Sequence, residues 1–220
     1  MAEAAAMDTP KLVVLDCDGV MFESKDADRR FYDDILAAFG HPPMTQEETD
    51  FAFMHDVATG LKHIFRHYPE TDWAAVERLA RETAFTPYLR RMKMMPGLIE
   101  FLEALRAAGV HTAVATNRGD TMRGVLETFG LEHLFDFVMT AAIAPPKPSP
   151  EGMTRILARF GLPASAAVHI GDSLLDEQYA KAAGVTFIAF GNPALAADHH
   201  AASFAELRAL PMFAGIAARE

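Results

Sequence analysis

A short apolar run that ends in two aspartates constrains this fold more than any other feature of the chain. Residues 12–15 are Leu-Val-Val-Leu, and Asp16, Cys17, Asp18 and Gly19 follow directly. An unbroken aliphatic run bounded by a glycine turn is typical of a buried parallel strand. Ligands of open α/β sheets bind at the carboxyl ends of such strands, so the two carboxylates are expected at a site. A surface turn after a strand is the alternative interpretation of the same residues.

Four more strand-like runs occur later in the chain, and helical patterns separate these four from one another. Alternation of strands and helices predicts a parallel sheet with right-handed crossovers. We therefore expect an α/β fold with a Rossmann-like core, in which helices flank a parallel sheet. The predicted strands cover residues 11–16, 110–115, 135–140, 166–170 and 185–190.

The stretch between the first two strands is too long for a single crossover, and its sequence pattern is helical throughout. Turn-forming residues interrupt the pattern at residues 40–43, at Gly60 and at residues 68–69. We therefore predict an inserted all-helical module over residues 22–93, called the helical insert below. Its helices are expected at residues 26–39, 46–58, 60–68 and 72–92, and a further helix at residues 97–108 belongs to the crossover that follows the insert.

The remaining residues complete the expected organisation. Residues 11–21 and 94–220 form the α/β core, and the acidic, alanine-rich residues 1–10 form a frayed tail. The tail lacks the basic segment of a signal peptide. Cys17 is the single cysteine, so no internal disulfide can form, and a cytoplasmic protein is the simplest interpretation. Strand alternation points Cys17 away from the two aspartates beside it, which favours a packing role.

The charge of the chain limits the partners that it can have. The formal net charge is −10 and the pI is about 5.3. Nucleic-acid binding depends on Lys and Arg side chains that neutralise phosphates, so no nucleic-acid partner is expected. The same charge argues against an anionic membrane surface, and no apolar run approaches the roughly 20 residues of a spanning helix. We expect a small-molecule partner, and a chain that acts as a monomer or a homodimer.

Polar residues follow three later positions at which strands or loops end. Thr116 and Asn117 end the second predicted strand, and Lys147 lies in a proline-rich loop before a helix. The fourth strand ends in a glycine followed by Asp172 and, four residues on, Asp176. Taken singly, these residues are explained as a turn, a solvated lysine and a capping acid. Their joint occurrence after the two aspartates of the first strand favours a shared site.

This order of motifs, Asp-x-Asp, then Thr, then Lys, then Gly-Asp-x-x-x-Asp, resembles the haloacid dehalogenase-like hydrolase superfamily. The resemblance covers nearly the whole chain. It implies a Rossmann-like core with an inserted helical cap of the C1 type, here residues 22–93. Asp18, where the dehalogenase branch typically has an aromatic residue, favours a phosphatase or a phosphomutase. Val20 departs from the threonine of many members that resemble phosphoglycolate phosphatase, the branch that fits best.

The resemblance also implies a chemistry for the acidic residues. Asp16 is the nucleophile that forms an aspartyl-phosphate. Asp18 donates a proton to the leaving alcohol and then accepts one from the attacking water. A divalent cation offsets the repulsion between these carboxylates and a phosphate dianion. Mg²⁺ prefers oxygen ligands, which Asp16, Asp172 and the backbone carbonyl of Asp18 would supply.

The other motif residues are expected to hold the phosphoryl group and to support the metal. Thr116 offers a hydroxyl and Asn117 a backbone N–H to the phosphoryl oxygens. Lys147 supplies a positive charge that neutralises the phosphoryl group and steadies the nucleophile. Asp176 is placed behind the ligands, where it orients a metal-bound water or the lysine. Ser173 either caps the following helix or contacts a water on the metal, and capping is favoured.

Polar residues in the first half of the helical insert are candidates for recognising the rest of the substrate: His55, Lys62, His63, Arg66 and His67. Lys62 or Arg66 would suit an anionic group on the substrate. His63 and His67 share a helix face, but no third ligand for a metal is evident beside them. A solvated or cleft-facing helix surface is therefore the favoured interpretation of the two histidines.

The favoured function is a Mg²⁺-dependent phosphatase that hydrolyses a small phosphorylated metabolite, similar to phosphoglycolate or a sugar phosphate. A phosphomutase of the β-phosphoglucomutase type is the alternative among enzymes. A non-catalytic phosphate-binding or phosphoacceptor protein is the alternative outside enzymes, since receiver domains also combine Asp, Mg²⁺, Thr and Lys. Asp18 and the helical insert both argue against a receiver domain.

Overall fold

The computed structural model of the chain describes residues 9–216. Most of the predicted frayed tail, residues 1–8, lies outside the described residues. Pro10, the last residue of that predicted tail, is buried. The backbone N–H of Lys11 donates to the carbonyl of Ala166 at 2.9 Å, so the chain is held against the core from this point on.

Six strands form one parallel sheet in the order β5–β4–β1–β6–β7–β8. β1 lies between β4 and β6, so the polar residues that follow these three strands meet at one edge of the sheet. This is the predicted Rossmann-like α/β core. The strands are β1 Leu12–Leu15, β4 His111–Ala115, β5 Phe137–Met139, β6 Ala167–Gly171, β7 Thr186–Phe190 and β8 His199–Ala201.

The five predicted strands are confirmed, and β8 is an addition that the sequence pattern did not indicate. Its residues His199, His200 and Ala201 are too few and too polar to produce an apolar strand signal. The strand pairs with the outer edge of β7. It therefore extends the sheet away from β1 and contributes nothing to the edge at which the polar residues meet.

Side-chain alternation along β1 divides the core into two layers. Val13 and Leu15 belong to the larger apolar cluster on one face, and Leu12 and Val14 to a smaller cluster on the other. All four are fully buried. Burial of one such side chain contributes about 1.5–3 kcal/mol relative to exposure, so the central strand is strongly fixed.

Helices cover both faces of the sheet and form the insert. α1 to α5 lie within the predicted insert, and α6 to α10 accompany the core strands. The helices are α1 Lys25–Ala38, α2 Gln46–Met54, α3 Val57–Phe65, α4 Trp73–Glu82, α5 Thr86–Leu89, α6 Leu98–Ala107, α7 Thr121–Phe129, α8 Glu151–Phe160, α9 Leu174–Ala183 and α10 Phe204–Ala209. None of the helices within residues 9–216 is long and apolar enough to cross a membrane.

The predicted break at Gly60 is wrong, because the chain turns earlier, at His55 and Asp56. The Asp56 side chain accepts a hydrogen bond from the backbone N–H of Thr59 at 3.1 Å and so starts α3. Gly60 lies inside that helix, where a Cβ atom would be 2.7 Å from the hydroxyl oxygen of Tyr32. The glycine therefore serves close packing of α3 on α1 and not a turn.

The predicted helix 72–92 is two helices, α4 and α5. Thr83 leaves the helical region of backbone conformation, and Pro87 lies at the start of α5. Proline has no backbone N–H for an uninterrupted helix and is favoured in the first turn, which explains why a new helix begins here.

A short antiparallel ribbon joins the two ends of the helical insert. β2, Phe22–Glu23, pairs with β3, Lys93–Met94. Strands of two residues carry no periodic signal, so the sequence did not predict them. The ribbon brings both connections of the insert together beside the loop that follows β1.

Candidate active site

A cavity of about 650 Å³ opens at the carboxyl edge of the sheet, between the core and the helical insert. This volume is within the usual range for small-molecule sites. The core residues that line it include most of the predicted motif residues, which the sheet order has brought together from distant parts of the sequence. They include Asp16, Asp18, Thr116, Asn117, Lys147, Asp172 and Ser173.

Asp16 presents one carboxylate oxygen to the protein and leaves the other free. Oδ1 accepts from the backbone N–H of Cys17 at 2.7 Å and lies 2.9 Å from Nζ of Lys147. No described residue hydrogen-bonds Oδ2. Burial raises the pKa of Asp16 above its usual range, and the charge of Lys147 opposes that rise. An oxygen without a protein partner on a residue that lines the cavity can react with a ligand.

Lys147 lies between two carboxylates, in what we call the lysine cluster: Asp16, Lys147, Asp176 and His169. Its Nζ donates to Oδ1 of Asp176 at 2.6 Å. Burial alone would lower the pKa of Lys147, but Asp16 and Asp176 outweigh it and raise that pKa. The lysine is therefore charged, as the predicted role requires.

Asp176 is fully buried, and both of its carboxylate oxygens are in use. Oδ1 also accepts from Nε2 of His169 at 2.9 Å, and Oδ2 accepts from the backbone N–H and the hydroxyl of Ser173. Burial would raise the pKa of Asp176, but Lys147 and His169 lower it well below its usual range. The backbone of Gly171 packs here, since a Cβ atom at this residue would lie 2.3 Å from that of Asp176.

Ser173 caps α9, as favoured from the sequence. Its side chain accepts from the backbone N–H of Asp176, and the Asp176 side chain accepts from the Ser173 backbone N–H in return. This reciprocal capping box fixes the start of the helix. Asp176 is thereby held behind the cavity as a support for the lysine.

His169 is a member of the lysine cluster that sequence reasoning missed. Its ring lies in the interior, with Nδ1 3.2 Å from the carbonyl oxygen of Val14, and burial lowers its pKa. In the sequence it is one polar residue within an apolar strand. A buried histidine with a carboxylate partner has no signature of its own at that level.

The donor set fits a hard divalent cation such as Mg²⁺. Carboxylate oxygens of Asp16, Asp172 and Asp176 lie within 4.8 Å of one another. Asp176 has no free oxygen, which leaves Asp16 and Asp172 as the available pair. No described backbone N–H hydrogen-bonds the carbonyl of Asp18, so that oxygen is also available, as predicted. Oxygen ligands with room for water are what Mg²⁺ requires.

The Asp172 carboxylate is held against the loop that follows β1. A Cβ atom on Gly19 would lie 1.9 Å from Oδ2 of Asp172, and Gly19 also has a positive φ of 79°. Only glycine leaves room for the Asp172 carboxylate and also adopts this positive φ without strain. Burial raises the pKa of Asp172 to about 7, and a nearby cation would offset that cost.

Arg118 lies between two other carboxylates, in what we call the arginine cluster: Asp18, Arg118, Asp28 and Ser24. Its Nε and Nη2 donate to the carboxylate of Asp18 at 2.6–3.0 Å, and Nη2 also donates to Oδ1 of Asp28 at 2.9 Å. The Ser24 hydroxyl donates to Asp18 and lies 3.3 Å from Oδ2 of Asp28. Asp28 belongs to α1, so this cluster connects the core with the insert.

Sequence reasoning missed both Arg118 and Asp28. Burial would lower the pKa of Arg118, but Asp18 and Asp28 raise it well above its usual range. Burial raises the pKa of Asp28 to about 7, against the charge of Arg118. The available signal was a cationic residue directly after Thr116 and Asn117, at the end of a strand beside the aspartates.

Thr116 and Asn117 lie where they were predicted, and the Asn117 side chain has an additional contact. Its Oδ1 accepts from the backbone N–H of Lys147 at 2.7 Å, and its Nδ2 donates to the carbonyls of Lys147 and Met54 at 3.2 Å. Asn117 therefore fixes the loop that carries the lysine. No described residue accepts from its own backbone N–H, which stays available for a phosphoryl oxygen.

Of the polar candidates in the insert, His55 lines the cavity. Lys62, His63 and Arg66 lie outside that lining, and their part in substrate binding stays a prediction. Arg66 lies 3.5 Å from the carboxylate of Glu47, and the ring of His63 stacks on Phe51 at 3.7 Å. α3 turns a different face, that of Ala58 and Leu61, toward the cavity, and its register could not be fixed while the break was expected at Gly60.

Cys17 packs in the apolar core, as predicted. It is fully buried, and burial raises the pKa of its thiol. The thiol therefore remains protonated and contributes no nucleophile.

The chain belongs to the haloacid dehalogenase-like hydrolases, because the sequence model of that family matches residues 13–190. This confirms the resemblance drawn from the motifs. A phosphoglycolate phosphatase of Pseudomonas savastanoi pv. phaseolicola is 30% identical over 190 residues, which cover 82% of this chain and 69% of that protein.

Solved structures show the same fold. A HAD-superfamily hydrolase of subfamily IA, variant 1, from Geobacter sulfurreducens is 33% identical and has a TM-score of 0.79, with 91% of this chain and 99% of that chain covered. CbbY from Rhodobacter sphaeroides, crystallised in complex with phosphate, is 25% identical and has a TM-score of 0.78, with 90% and 96% covered.

Proposed function

We propose that this hydrolase is a phosphoric monoester hydrolase that acts through an aspartyl-phosphate on Asp16. One observation carries the proposal: the two aspartates after β1 face one cavity, and each is held by its own buried cation. Lys147 holds Asp16 by one oxygen, and Arg118 holds Asp18. Two carboxylates in different surroundings are what a nucleophile and an acid/base require.

In the first step, the carboxylate of Asp16 attacks the phosphorus atom, and the bond from phosphorus to the alcohol oxygen breaks. Asp18 gives that oxygen a proton, so the alcohol leaves neutral. The hydroxyl of Thr116 and the backbone N–H of Asn117 bind phosphoryl oxygens, and Lys147 neutralises charge on them. Transfer of a phosphoryl group depends mostly on such positioning and charge stabilisation.

In the second step, a water molecule attacks the phosphorus atom of the aspartyl-phosphate. Asp18, now a carboxylate, accepts a proton from that water, and the bond to Asp16 breaks. Inorganic phosphate leaves and both aspartates return to their starting state. The same residue thus serves as acid and then as base.

Mg²⁺ is the proposed cofactor, bound by Asp16, Asp172 and the backbone carbonyl of Asp18. Bound there, it would neutralise charge on the phosphoryl group and allow the carboxylates and a phosphate dianion to approach one another. The pair of free acidic side chains and the free carbonyl described above support this assignment.

The proposed substrate is a small phosphorylated metabolite. The relatives named phosphoglycolate phosphatase and the phosphate complex of CbbY support a phosphorylated ligand. The division into core and cap, a cytoplasmic location, and a monomeric or homodimeric state stay predictions.

The test is release of inorganic phosphate from a panel of phosphate monoesters. Wild type should release phosphate with Mg²⁺ present, lose that activity in EDTA and regain it when Mg²⁺ is returned. Asp16→Asn should remain folded and release none, whereas Asp26→Asn on the exposed face of α1 should match wild type. Release that continues in Asp16→Asn would contradict the proposal. No release from any ester by folded wild type would favour a phosphomutase or a binding role.

A further inference from the structure

We infer that the preferred substrate of this site is a phosphate ester of an aromatic alcohol that carries no second negative charge. The inference rests on the proposed phosphatase function and departs from phosphoglycolate, which is small and anionic. Three features of the cavity carry it: the size and apolar character of the part beyond the catalytic residues, the sign of its charges, and a tyrosine hydroxyl that borders its apolar wall.

The insert side of the cavity is built largely from apolar side chains. A site of about 650 Å³ is far larger than a glycolate group needs, and ligand sites of this size are typically lined by apolar and aromatic side chains. The lining side chains that would surround the alcohol share an apolar or aromatic character. They include Phe31, Phe53, Met54, Val57, Leu61, Trp73 and Phe85.

Two aromatic side chains of this wall are half-buried, Phe53 and Trp73, and Lys25 lies over the ring of Phe53. Trp73 occupies the first position of α4, and its indole stacks on no other ring within residues 9–216. No described residue accepts a hydrogen bond from its N–H. Aromatic pairs contribute beyond the area that they bury, so an unstacked indole beside a ligand cavity suits a flat ligand.

The charges of the wall disfavour an anionic alcohol. The insert contributes three carboxylates to the lining, those of Asp28, Asp56 and Glu77. Its one cationic lining side chain within the described residues is the exposed Arg81, which follows Glu77 by one turn of α4. A second negative group on the substrate would therefore meet charges of its own sign.

The buried cations of the core offer no alternative partner for such a group. Lys147 already lies between Asp16 and Asp176, and Arg118 between Asp18 and Asp28. A substrate carboxylate could pair with Arg118 only by displacing a carboxylate that is held at 3.0 Å or less. The phosphoryl group is thus the one anion for which the site has a place.

Tyr32 supplies one polar group deep in the apolar wall. Tyr32 is 3% exposed and lines the cavity, and no described residue hydrogen-bonds its hydroxyl. A tyrosine hydroxyl that borders a ligand cavity can take a hydrogen-bond partner from the ligand. A neutral polar substituent on the aromatic alcohol would provide one.

The experiment uses four esters that separate size from charge: ethyl phosphate, phosphoglycolate, benzyl phosphate and para-carboxybenzyl phosphate. We expect kcat/KM for benzyl phosphate to exceed that for ethyl phosphate by about 10²-fold, since apolar contacts of this kind discriminate by 10–200-fold. The carboxylate should lower kcat/KM by about ten-fold or more in both the small and the aromatic pair. All four measurements use wild-type protein with Mg²⁺.

Two variants of α4 test the assigned residues without altering the catalytic groups. Trp73→Ala should lower kcat/KM for benzyl phosphate by about ten-fold relative to kcat/KM for ethyl phosphate. Glu77→Gln should raise kcat/KM for para-carboxybenzyl phosphate by a few-fold relative to benzyl phosphate. Glu82→Gln, at the exposed end of the same helix, should leave both ratios as in wild type and is the matched control.

The outcomes separate this inference from the function on which it rests. Hydrolysis of all four esters with phosphoglycolate preferred would overturn the inference and leave the phosphatase function intact. Equal rates for ethyl and benzyl phosphate would overturn it as well. Absence of hydrolysis of every ester would instead contradict the proposed function. If Trp73→Ala fails to fold, the four wild-type ratios still decide the question.

Discussion

The two buried clusters around the aspartates have the same plan but different anchoring. In each, one cation lies between two carboxylates, and one of these follows β1. Lys147 joins Asp16 to Asp176, and both carboxylates belong to the core. Arg118 joins Asp18 to Asp28, which lies on α1 of the insert. The lysine cluster is therefore internal to the core, and the arginine cluster spans the boundary of the cavity.

The difference teaches how one loop can hold two carboxylates for different tasks. Lys147 is a point charge that contacts one oxygen of each partner, so Oδ2 of Asp16 stays free. Arg118 is a planar fork that contacts both oxygens of Asp18. Arg118 also contacts Asp28 on α1, so the orientation of the Asp18 carboxylate depends on the position of that helix. The nucleophile is fixed within the core, whereas the orientation of the acid/base depends on the insert.

Loss of the lysine should have the largest effect. We expect Lys147→Met to lower kcat by about 10²–10³-fold, because one preorganised charge on the phosphoryl group is lost. It should also lower the free energy of unfolding by about 3–5 kcal/mol, since two buried carboxylates lose their partner. Steady-state kinetics and urea unfolding measure both. Lys181→Met, an exposed residue of α9, is the control, and near-normal kcat in Lys147→Met would contradict the assigned role.

Replacement of the arginine by lysine should have a smaller effect on kcat, and the size of that effect should depend on the leaving group of the ester. Arg118→Lys keeps the charge but loses the fork that orients Asp18. We expect kcat to fall by about ten-fold for an ester with a poor leaving group. The same variant should change little for an activated aryl ester, whose alcohol needs no proton. Equal losses for the two esters would show that Arg118 acts on structure and not through Asp18.

The arginine cluster should also make stability depend on pH. The pKa of Asp28 is about 7 in the folded protein, and that of an ordinary aspartate is about 3.9, so between those pH values the folded protein binds more protons than the unfolded chain. The free energy of unfolding then falls as pH rises, and this contribution is complete below about pH 4 and lost above about pH 7. Burial raises the pKa of Asp172 to about 7 as well, so Asp28→Asn should make that slope shallower without removing it, measured by urea unfolding from pH 4.5 to 7.5. Asp26→Asn should retain it, and an unchanged slope in Asp28→Asn would contradict the assignment.

The smallest effect is expected from the helix cap behind the lysine cluster. Ser173→Ala should lower the free energy of unfolding by about 1 kcal/mol, as should Ser203→Ala at the start of α10. Ser173 also donates to Asp176, so of the two variants only Ser173→Ala should lower kcat, by a few-fold. If both variants leave kcat unchanged, the orientation of Lys147 does not depend on that hydrogen bond.

The sequence predicted the core and its motif residues because each is a local pattern. Apolar runs marked the five main strands, and parallel order then placed Asp16, Thr116, Lys147 and Asp172 at one edge. The arginine cluster could not be predicted in that way. Its Asp28 is one of several acidic residues on α1, and only the packing of that helix against the core selects it. The position of Lys62, His63 and Arg66 outside the cavity lining could not be predicted either, because it depends on the rotation of α3.

The central claim is that Asp16 carries the phosphoryl group and Asp18 completes its hydrolysis. The most direct measurement is rapid quenching of the reaction with an activated aryl phosphate, followed by mass spectrometry of wild type, Asp18→Asn and Asp16→Asn. The account predicts that Asp18→Asn accumulates one phosphoryl group on Asp16, because an activated leaving group needs no acid while hydrolysis still needs the base. Asp16→Asn should show no adduct. A phosphoryl group on another residue, or one that persists in Asp16→Asn, would contradict the account.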